Sequence, residues 1–328
     1  MSNLQRKSWR VFALMFGLLA LLLAGSPGAQ TIYPSKPIRL VGGFAPGTQL
    51  DTLARIIGQK MSESWGQPVV VDNRTGGGGM LAAGILANAV PDGHTLFFGN
   101  GFAITVALQP TFSYNPLKDF AGVAQIGFPT QALIVAPSLG VRSVKDLIAL
   151  AQSQPGKIIY GFGGSGSESH LNGERFRGAV GIKVVNVAFK SGVEALLQTL
   201  AGRTHYCFAG LLPALPFIQD GKLLALAVNA PQRLAILPDV PALAETLPVF
   251  NKPESSNGLL APAKTPRSVL TQISKEAARI LDLPDIKERM QAMGFVPAPS
   301  TPEDYDQIRR EQIETLSKLA IEAGLRAK

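Results

Sequence analysis

Three short stretches carry the residues able to hold or attack a small molecule. "VGGFAPGTQLDTLAR", Val41 to Arg55, turns from a strand-like run into a helix-like one through Gly42, Gly43, Pro46 and Gly47. "GNGFAITVAL" places Asn100 and Gly101 after the apolar run "HTLFFG". "GFGGSGSESHL", Gly161 to Leu171, follows "KIIYG" and combines glycines with Ser165, Ser167, Glu168, Ser169 and His170. In each, a helix start follows the glycines. Helix N-termini leave backbone N–H groups unsatisfied and carry partial positive charge, which suits a carboxylate. Glycine lets a ligand approach the backbone closely.

Spacing weighs against rival chemistries, of which a serine hydrolase stays as the alternative. "GFGGSG" matches G-x-G-x-x-G, but a dinucleotide fold wants an acid about 20 residues on, at the end of the next strand. That strand reads "VVNVAF", with Asn186 and no acid. There is no G-x-x-x-x-G-K-[ST], so no P-loop. A serine hydrolase would use Ser165 to His170, yet G-x-S-x-G is missing around Ser165. Ser169 and His170 are adjacent at a helix start and point in different directions. His170 reads better as an anchor for its own helix. Cys207 is the sole cysteine and sits in an apolar run, as a small core residue does. His94, His170 and His205 show no metal-ligand spacing. No metal and no cofactor are expected. Asp51 has two readings, a partner for a ligand amine or a stabiliser of its own first helical turn, and the second is favoured. Lys190, beside Ser191 in "AFKSG", either supplies a cation to a cleft or sits solvated.

The elements that must position these residues alternate. "PIRLVGGF", "PVVVDN" and "HTLFFGN" read as strands. "LDTLARIIGQKMSESWG" reads as an amphipathic helix stopped by Gly66, and "GGMLAAGILANAV" as the next helix. A second series starts near Gln131: strand "ALIVAP", helix "SVKDLIALAQSQPG" with Ser143 as N-cap, strand "KIIYG", a glycine-rich loop and helix, strand "KVVNVAF", helix "GVEALLQTLAG", then strands "THYCFAG" and "LLALAVN". "GLLAPAKTP" reads as a returning strand. Two C-terminal helices close the chain, one from Ser268 and one capped by Thr301 with Pro302 at its first position. This is the pattern of βαβ units over mostly parallel sheets. The last helices bring no sheet of their own and need the first one. The fold expected is therefore α/β, with one domain from both ends of the chain, a second from its middle, and a cleft between them.

The first 29 residues read as a leader. Arg6, Lys7 and Arg10 precede the apolar run Val11–Ala24, followed by small residues. That reads as a secretory signal peptide, the run being short for a membrane span, with an uncleaved N-terminal anchor as the alternative. Cleavage after Ala29 is expected, with Pro27 an imperfect −3 residue. The leader holds three basic residues, so removing it takes the net charge from +8 to +5. The surplus is scattered and does not point to nucleic acid.

An ordered set of fragments carries a resemblance: "YPSKPIRLV", "FAPG", "D-x-x-AR", "GQPVVVDNR", "PDGHTL", "YNPLKDF", "SVKDLIALA", "PGKIIYG", "SHL-x-GE", "GKLLALAV", "LPDVPALAE" and "LLAPA-x-TP". From Tyr33 to about Leu325 the chain resembles the Bug (Bordetella uptake gene), TctC-like proteins, the extracytoplasmic solute receptors of tripartite tricarboxylate transporters. The resemblance implies a type II periplasmic-binding-protein fold of the Venus-flytrap kind, two Rossmann-like domains joined by two hinge strands. It implies residues 30–130 and 252–328 for domain 1 and 131–251 for domain 2. The implied protein is a monomeric periplasmic receptor, not an enzyme, that closes on a small carboxylated solute and serves membrane transporter subunits. A receptor feeding a sensor kinase would need the same closure.

The implied ligand set is Phe44, Ala45, Pro46, Gly47, Thr48, Gln49 and Asp51 in the first loop, and Asn100 and Gly101 in the second. Ser165, Gly166, Ser167, Ser169 and His170 follow in the third, with Lys190, Ser191 and Ala209 beyond. The chain departs from the family where Thr48 and Gln49 replace smaller residues, where Ala209 stands for a common Asp, and where Ser256 and Asn257 stand for an aromatic. Glu168 adds a negative charge at a helix start. These departures lower the expectation of aspartate or glutamate as ligand.

Overall fold

A computed structural model describes residues 33–76, 79–100, 103–108, 111–253 and 255–325. The leader lies outside the described residues, as do Gly101 and Phe102. The architecture below belongs to the compact unit Lys36–Lys328.

Strands β1 (Ile38–Gly42), β2 (Val69–Asn73), β3 (Thr95–Gly99), β4 (Phe120–Pro129), β10 (Asn257–Pro262) and β11 (Phe295–Pro297) form one sheet, ordered β11-β4-β10-β3-β1-β2. β1 runs parallel to β2 and β3, while β10 runs antiparallel to β3 and β4. A second sheet holds β5 (Gln131–Val135), β6 (Ile159–Phe162), β7 (Val185–Ala188), β8 (Tyr206–Gly210) and β9 (Leu224–Asn229), ordered β7-β6-β8-β5-β9. β6 is parallel to β7 and β8, and β5 is antiparallel to β8 and β9. The chain passes from the first sheet to the second across Thr130 alone. It returns through residues 230–256, which include two 3-10 turns, Leu243–Glu245 and Pro248–Asn251.

The helices are α1 (Gln49–Trp65), α2 (Met80–Ala87), α3 (Ala103–Leu108), α4 (Val144–Ser153), α5 (Glu168–Val180), α6 (Gly192–Leu200), α7 (Leu211–Gln219), α8 (Arg267–Asp282), α9 (Pro284–Ala292) and α10 (Pro302–Glu322). Thr48, Ser143, Ser167, Ser191 and Thr301 each accept a backbone N–H three residues on, satisfying one orphan donor of the helix they open. α1 ends at Gly66, whose left-handed backbone (φ 64) returns an N–H to Ser62 O.

Alternation along β8 fills both faces of the second sheet. Tyr206 and Phe208 join Tyr160, Phe162 and Phe176 on one side. Cys207 and Ala209 join Ala132, Ile134 and Leu196 on the other. On the first sheet α8 and α10 both pack against β4.

Four elements depart from the sequence reading. β4 was not foreseen, because Gly122, Gln125 and Gly127 dilute its β-rich pattern. α7 is hidden by Pro213 in its first turn and Pro216 inside it. Three helices follow β10 rather than two, with α9 starting at Pro284. The short strand β11 then adds to β4.

Candidate functional site

The first loop is held by a network centred on Asp51. This carboxylate is 3% exposed and accepts from Gly47 N at 2.8 Å, Arg55 Nε at 3.0 Å and Asn73 Nδ2 at 2.9 Å. Asn73 also donates to Phe44 O at 3.2 Å. Burial works to raise the Asp51 pKa, but the Arg55 guanidinium, the Gly47 N–H and Asn73 outweigh it and hold the carboxyl below its ordinary value. Asp51 is thus turned inward as the clasp of its own loop and helix. Thr48 caps α1 and donates to Ala45 O at 2.8 Å. Phe44 packs edge-on to Phe98, ring centroids 6.0 Å apart. Ala45, Pro46, Gly47, Thr48 and Gln49 are exposed. Gln49 reaches away from the loop and donates to Met293 O, beside Gly294 and the start of α7 at Leu211 and Leu212.

The third loop has a comparable internal frame. Ser167 accepts from His170 N at 3.2 Å and lies 3.0 Å from Ser169 Oγ, which accepts from Gly163 N at 3.0 Å. Tyr160 donates its hydroxyl to Ser169 O. His170 Nδ1 accepts from Gly166 N at 3.1 Å, and the ring stacks on Phe162 at 4.0 Å between centroids. Burial pushes the His170 pKa down, with Glu174 pulling the other way, so the ring is neutral at pH 7. Its acceptor nitrogen is committed to the loop backbone, and no serine hydroxyl bonds to it among the described residues. A Ser–His hydrolytic pair is therefore not built here. Ser165 is exposed, while Ser169 and His170 are buried.

Close backbone contacts bring further pieces to these loops. A Cβ on Gly43 would collide with Gly79 Cα, and one on Gly163 with Gly192 N. The second contact seats the Lys190–Ser191 segment against the third loop. Lys190 N donates to Glu194 Oε2 at 3.0 Å and Ser191 caps α6, while both residues are exposed. Gly166 lies against Leu108 at the end of α3, the helix that follows Asn100. Leu171 of α5 is fully buried among Ala103 and Ala107 of α3 and Ile313, Leu316 and Ala320 of α10. Glu168 accepts from Ser255 Oγ at 3.5 Å. The third loop and the start of α5 therefore lie against elements of the first sheet. Ala209 stands apart: its side chain is 1% exposed within the apolar face shared with Ala132 and Leu196.

Sequence reasoning missed the residues that tie loops together over distance, namely Asn73, Leu108, Leu211 and Met293. Only Arg55 had a local signal, since Asp four residues before Arg is the favoured helical ion pair. Cavities of about 260, 570 and 710 Å³ are lined by residues outside the first and third loops. What distinguishes the first and third loops is their chemistry, glycines leading into helix starts capped by Thr48 and Ser167. No group of three or more His, Cys, Asp and Glu able to hold a metal occurs among the described residues, and no described helix is long and apolar enough to cross a membrane.

Residues 53–325 match the family model described as tripartite tricarboxylate transporter family receptor, TctC. A UPF0065 protein of Bordetella bronchiseptica is 32% identical over 309 residues, which covers 93% of this chain and 91% of that protein. The structure of Rpa4515 from R. palustris with adipate is 30% identical with a TM-score of 0.72, over 89% of this chain and 98% of that one. MatC from Rhodopseudomonas palustris with bound malate is 29% identical with a TM-score of 0.67, over 88% and 99%. The fold is thus the two-domain type II fold of periplasmic solute-binding proteins, and the chain belongs to the TctC family of tripartite tricarboxylate transporter receptors, which bind solutes and are not enzymes.

Proposed function

We propose that this receptor binds a small organic acid in a crevice between the first and third loops and delivers it, in the periplasm, to the membrane subunits of a tripartite tricarboxylate-type transporter. Residues 30–130 and 252–328 act as one lobe and 131–251 as the other, in a monomer released by removal of the leader. The observation that carries the reading is the pair of glycine-flanked helix starts, at Thr48 and Ser167, offered from opposite sheets. Asp51 is neutralised by Arg55 and does not oppose an anion. The carboxylate is gripped by backbone N–H groups that the internal bonds of the two loops leave open, those of Phe44, Ala45, Gln49, Gly164 and Ser165, with the hydroxyls of Thr48, Ser165 and Ser167 within the same two loops. Lys190 and Ser191 stand beside the third loop and Asn100 beside the first. That relatives are solved with adipate and malate supports a dicarboxylate class.

The test is thermal denaturation of the mature protein with a panel of mono-, di- and tricarboxylic acids. One-site linkage stabilises the fold by about 2.7 kcal/mol at a hundredfold excess of ligand over Kd. At least one acid should raise the melting temperature. Protein freed of carried-over ligand and indifferent to every acid would overturn the reading.

A further inference from the structure

A second cavity, of about 570 Å³, opens where the chain returns from the second sheet to the first. One wall is β4 and α10, through Gln125, Glu311, Gln312 and Glu314; the other is Arg175 of α5 with Val249 and Lys252 of the return segment. Gln125 is 6% exposed, and its side-chain amide has no hydrogen-bond partner among the described residues. Its backbone N–H is separately engaged with Ser300 Oγ at 3.0 Å. The neighbouring Gln312 amide, by contrast, is engaged at both ends, accepting from Ser256 Oγ and donating to Pro253 O, each at 3.2 Å. A buried amide facing a space of this size is a group waiting for a polar partner.

The charges around the space narrow that partner. Arg175 stands over the Phe250 ring at 4.5 Å and donates to Val249 O, which fixes its guanidinium at the rim. Lys252 pairs with Glu311 at 2.9 Å. Glu314 is exposed and carries no hydrogen bond or ion pair among the described residues. Among the described residues, two cations and two carboxylates thus line this cavity. A simple anion would meet Glu311 and Glu314, and a simple cation would meet Arg175 and Lys252. A molecule carrying both signs satisfies the rim, with its carboxylate toward the planar Arg175 fork and its ammonium toward Glu314.

We propose that this cavity is a second binding site, separate from the glycine-loop crevice, for a small zwitterion of the α-amino-acid class, with Gln125 bonding its polar side group. Because the walls come from elements of both sheets, an occupant clamps them together and couples to the crevice if the lobes close on an acid.

The experiment is calorimetric titration and thermal denaturation of the mature protein with each proteinogenic L-amino acid, with adipate as the crevice probe. At least one amino acid, with a polar side chain, should bind. Gln125→Leu and Glu314→Gln should each weaken it about tenfold while leaving the response to adipate unchanged. Should Gln125→Leu fail to fold, Glu314→Gln at its exposed position decides alone. The proposal is overturned if no amino acid binds, or if Glu314→Gln binds it as the parent does. Amino-acid binding without any response to acids would keep this site and sink the crevice reading; acids without amino acids would do the reverse.

Discussion

Asp51 shows how a charged side chain beside a binding loop can serve the loop and not the ligand. Its carboxylate satisfies Gly47 N, Asn73 and Arg55 together. Replacing it with Ala removes three hydrogen bonds to a buried carboxylate and should cost about 1–3 kcal/mol at pH 7. The folded-state pKa lies below the ordinary 3.8, so this stabilisation is complete above 3.8 and fades as pH falls through the lower, folded value. Melting curves of Asp51→Asn and the parent should therefore converge below pH 3.8 and differ at neutrality; a constant gap would refute the assignment. His170 works with the same sign in a higher pH window. Its folded pKa lies below the ordinary 6.5, so the unfolded chain takes up the proton first and stability declines as pH falls below 6.5. Protonation of Nδ1 would also break its bond from Gly166 N. His170→Gln should flatten that decline, measured as melting temperature between pH 7 and 5. Cys207 adds a probe of unfolding: burial pushes its thiol pKa up to about 12, so alkylation should be negligible in the native protein and complete in denaturant. Labelling of the native state would mean that β8 opens locally.

At the scale of elements, the third loop works only because two glycines let backbones touch. Gly163 lies against Gly192 N, so Gly163→Ala should push the Lys190–Ser191 segment off the loop. The expected outcome is acid affinity lowered about tenfold or more, with near-normal circular dichroism; unchanged affinity would remove that contact from the site. The strand–glycine–helix order of the three loops was legible because each part has a local cause, namely apolar runs, glycine and a capping hydroxyl. Ser143 and Thr301 were legible as caps for the same reason. β4 was not, because its irregular residues answer to distant partners. Gly122 makes room for Asp306, whose carboxylate accepts the Gly122 N–H at 2.7 Å, and Gly127 makes room for Val296 O. α7 was not, because packing of Leu211 and Ala214 in the apolar face under the second sheet overrides two prolines. At the site, the fold of each loop was readable and the ties between loops were not. Gln49 and Met293 are 244 residues apart in the chain, and nothing local in either announces the other.

At the scale of the whole molecule, α5 is the element that packs with both sheets. Its Phe176 is buried in the aromatic face of the second sheet. One turn and a half earlier, its Leu171 is fully buried against α3 and α10, which belong with the first. Its N-terminus is the helix start that frames the third loop, and its Asn172 side chain donates to Gln131 Oε1 at 2.8 Å and accepts from Asn229 at 2.9 Å. Those two partners begin β5 and end β9, where the chain enters and leaves the second sheet. The Leu171 contact is apolar and small, so it favours the apposed arrangement without locking it. Any separation of the lobes must expose that side chain to water, at a cost of about 1.5–3 kcal/mol for a residue of its size. Leu171→Ser should remove this cost and shift the population toward the separated arrangement. The apparent Kd for the acid should then rise in proportion to the lost fraction of the competent form. Small-angle scattering should show a larger radius of gyration without ligand, which returns to the parental value at saturation. A variant with parental scattering and parental affinity would mean that the α5 contact does not govern closure.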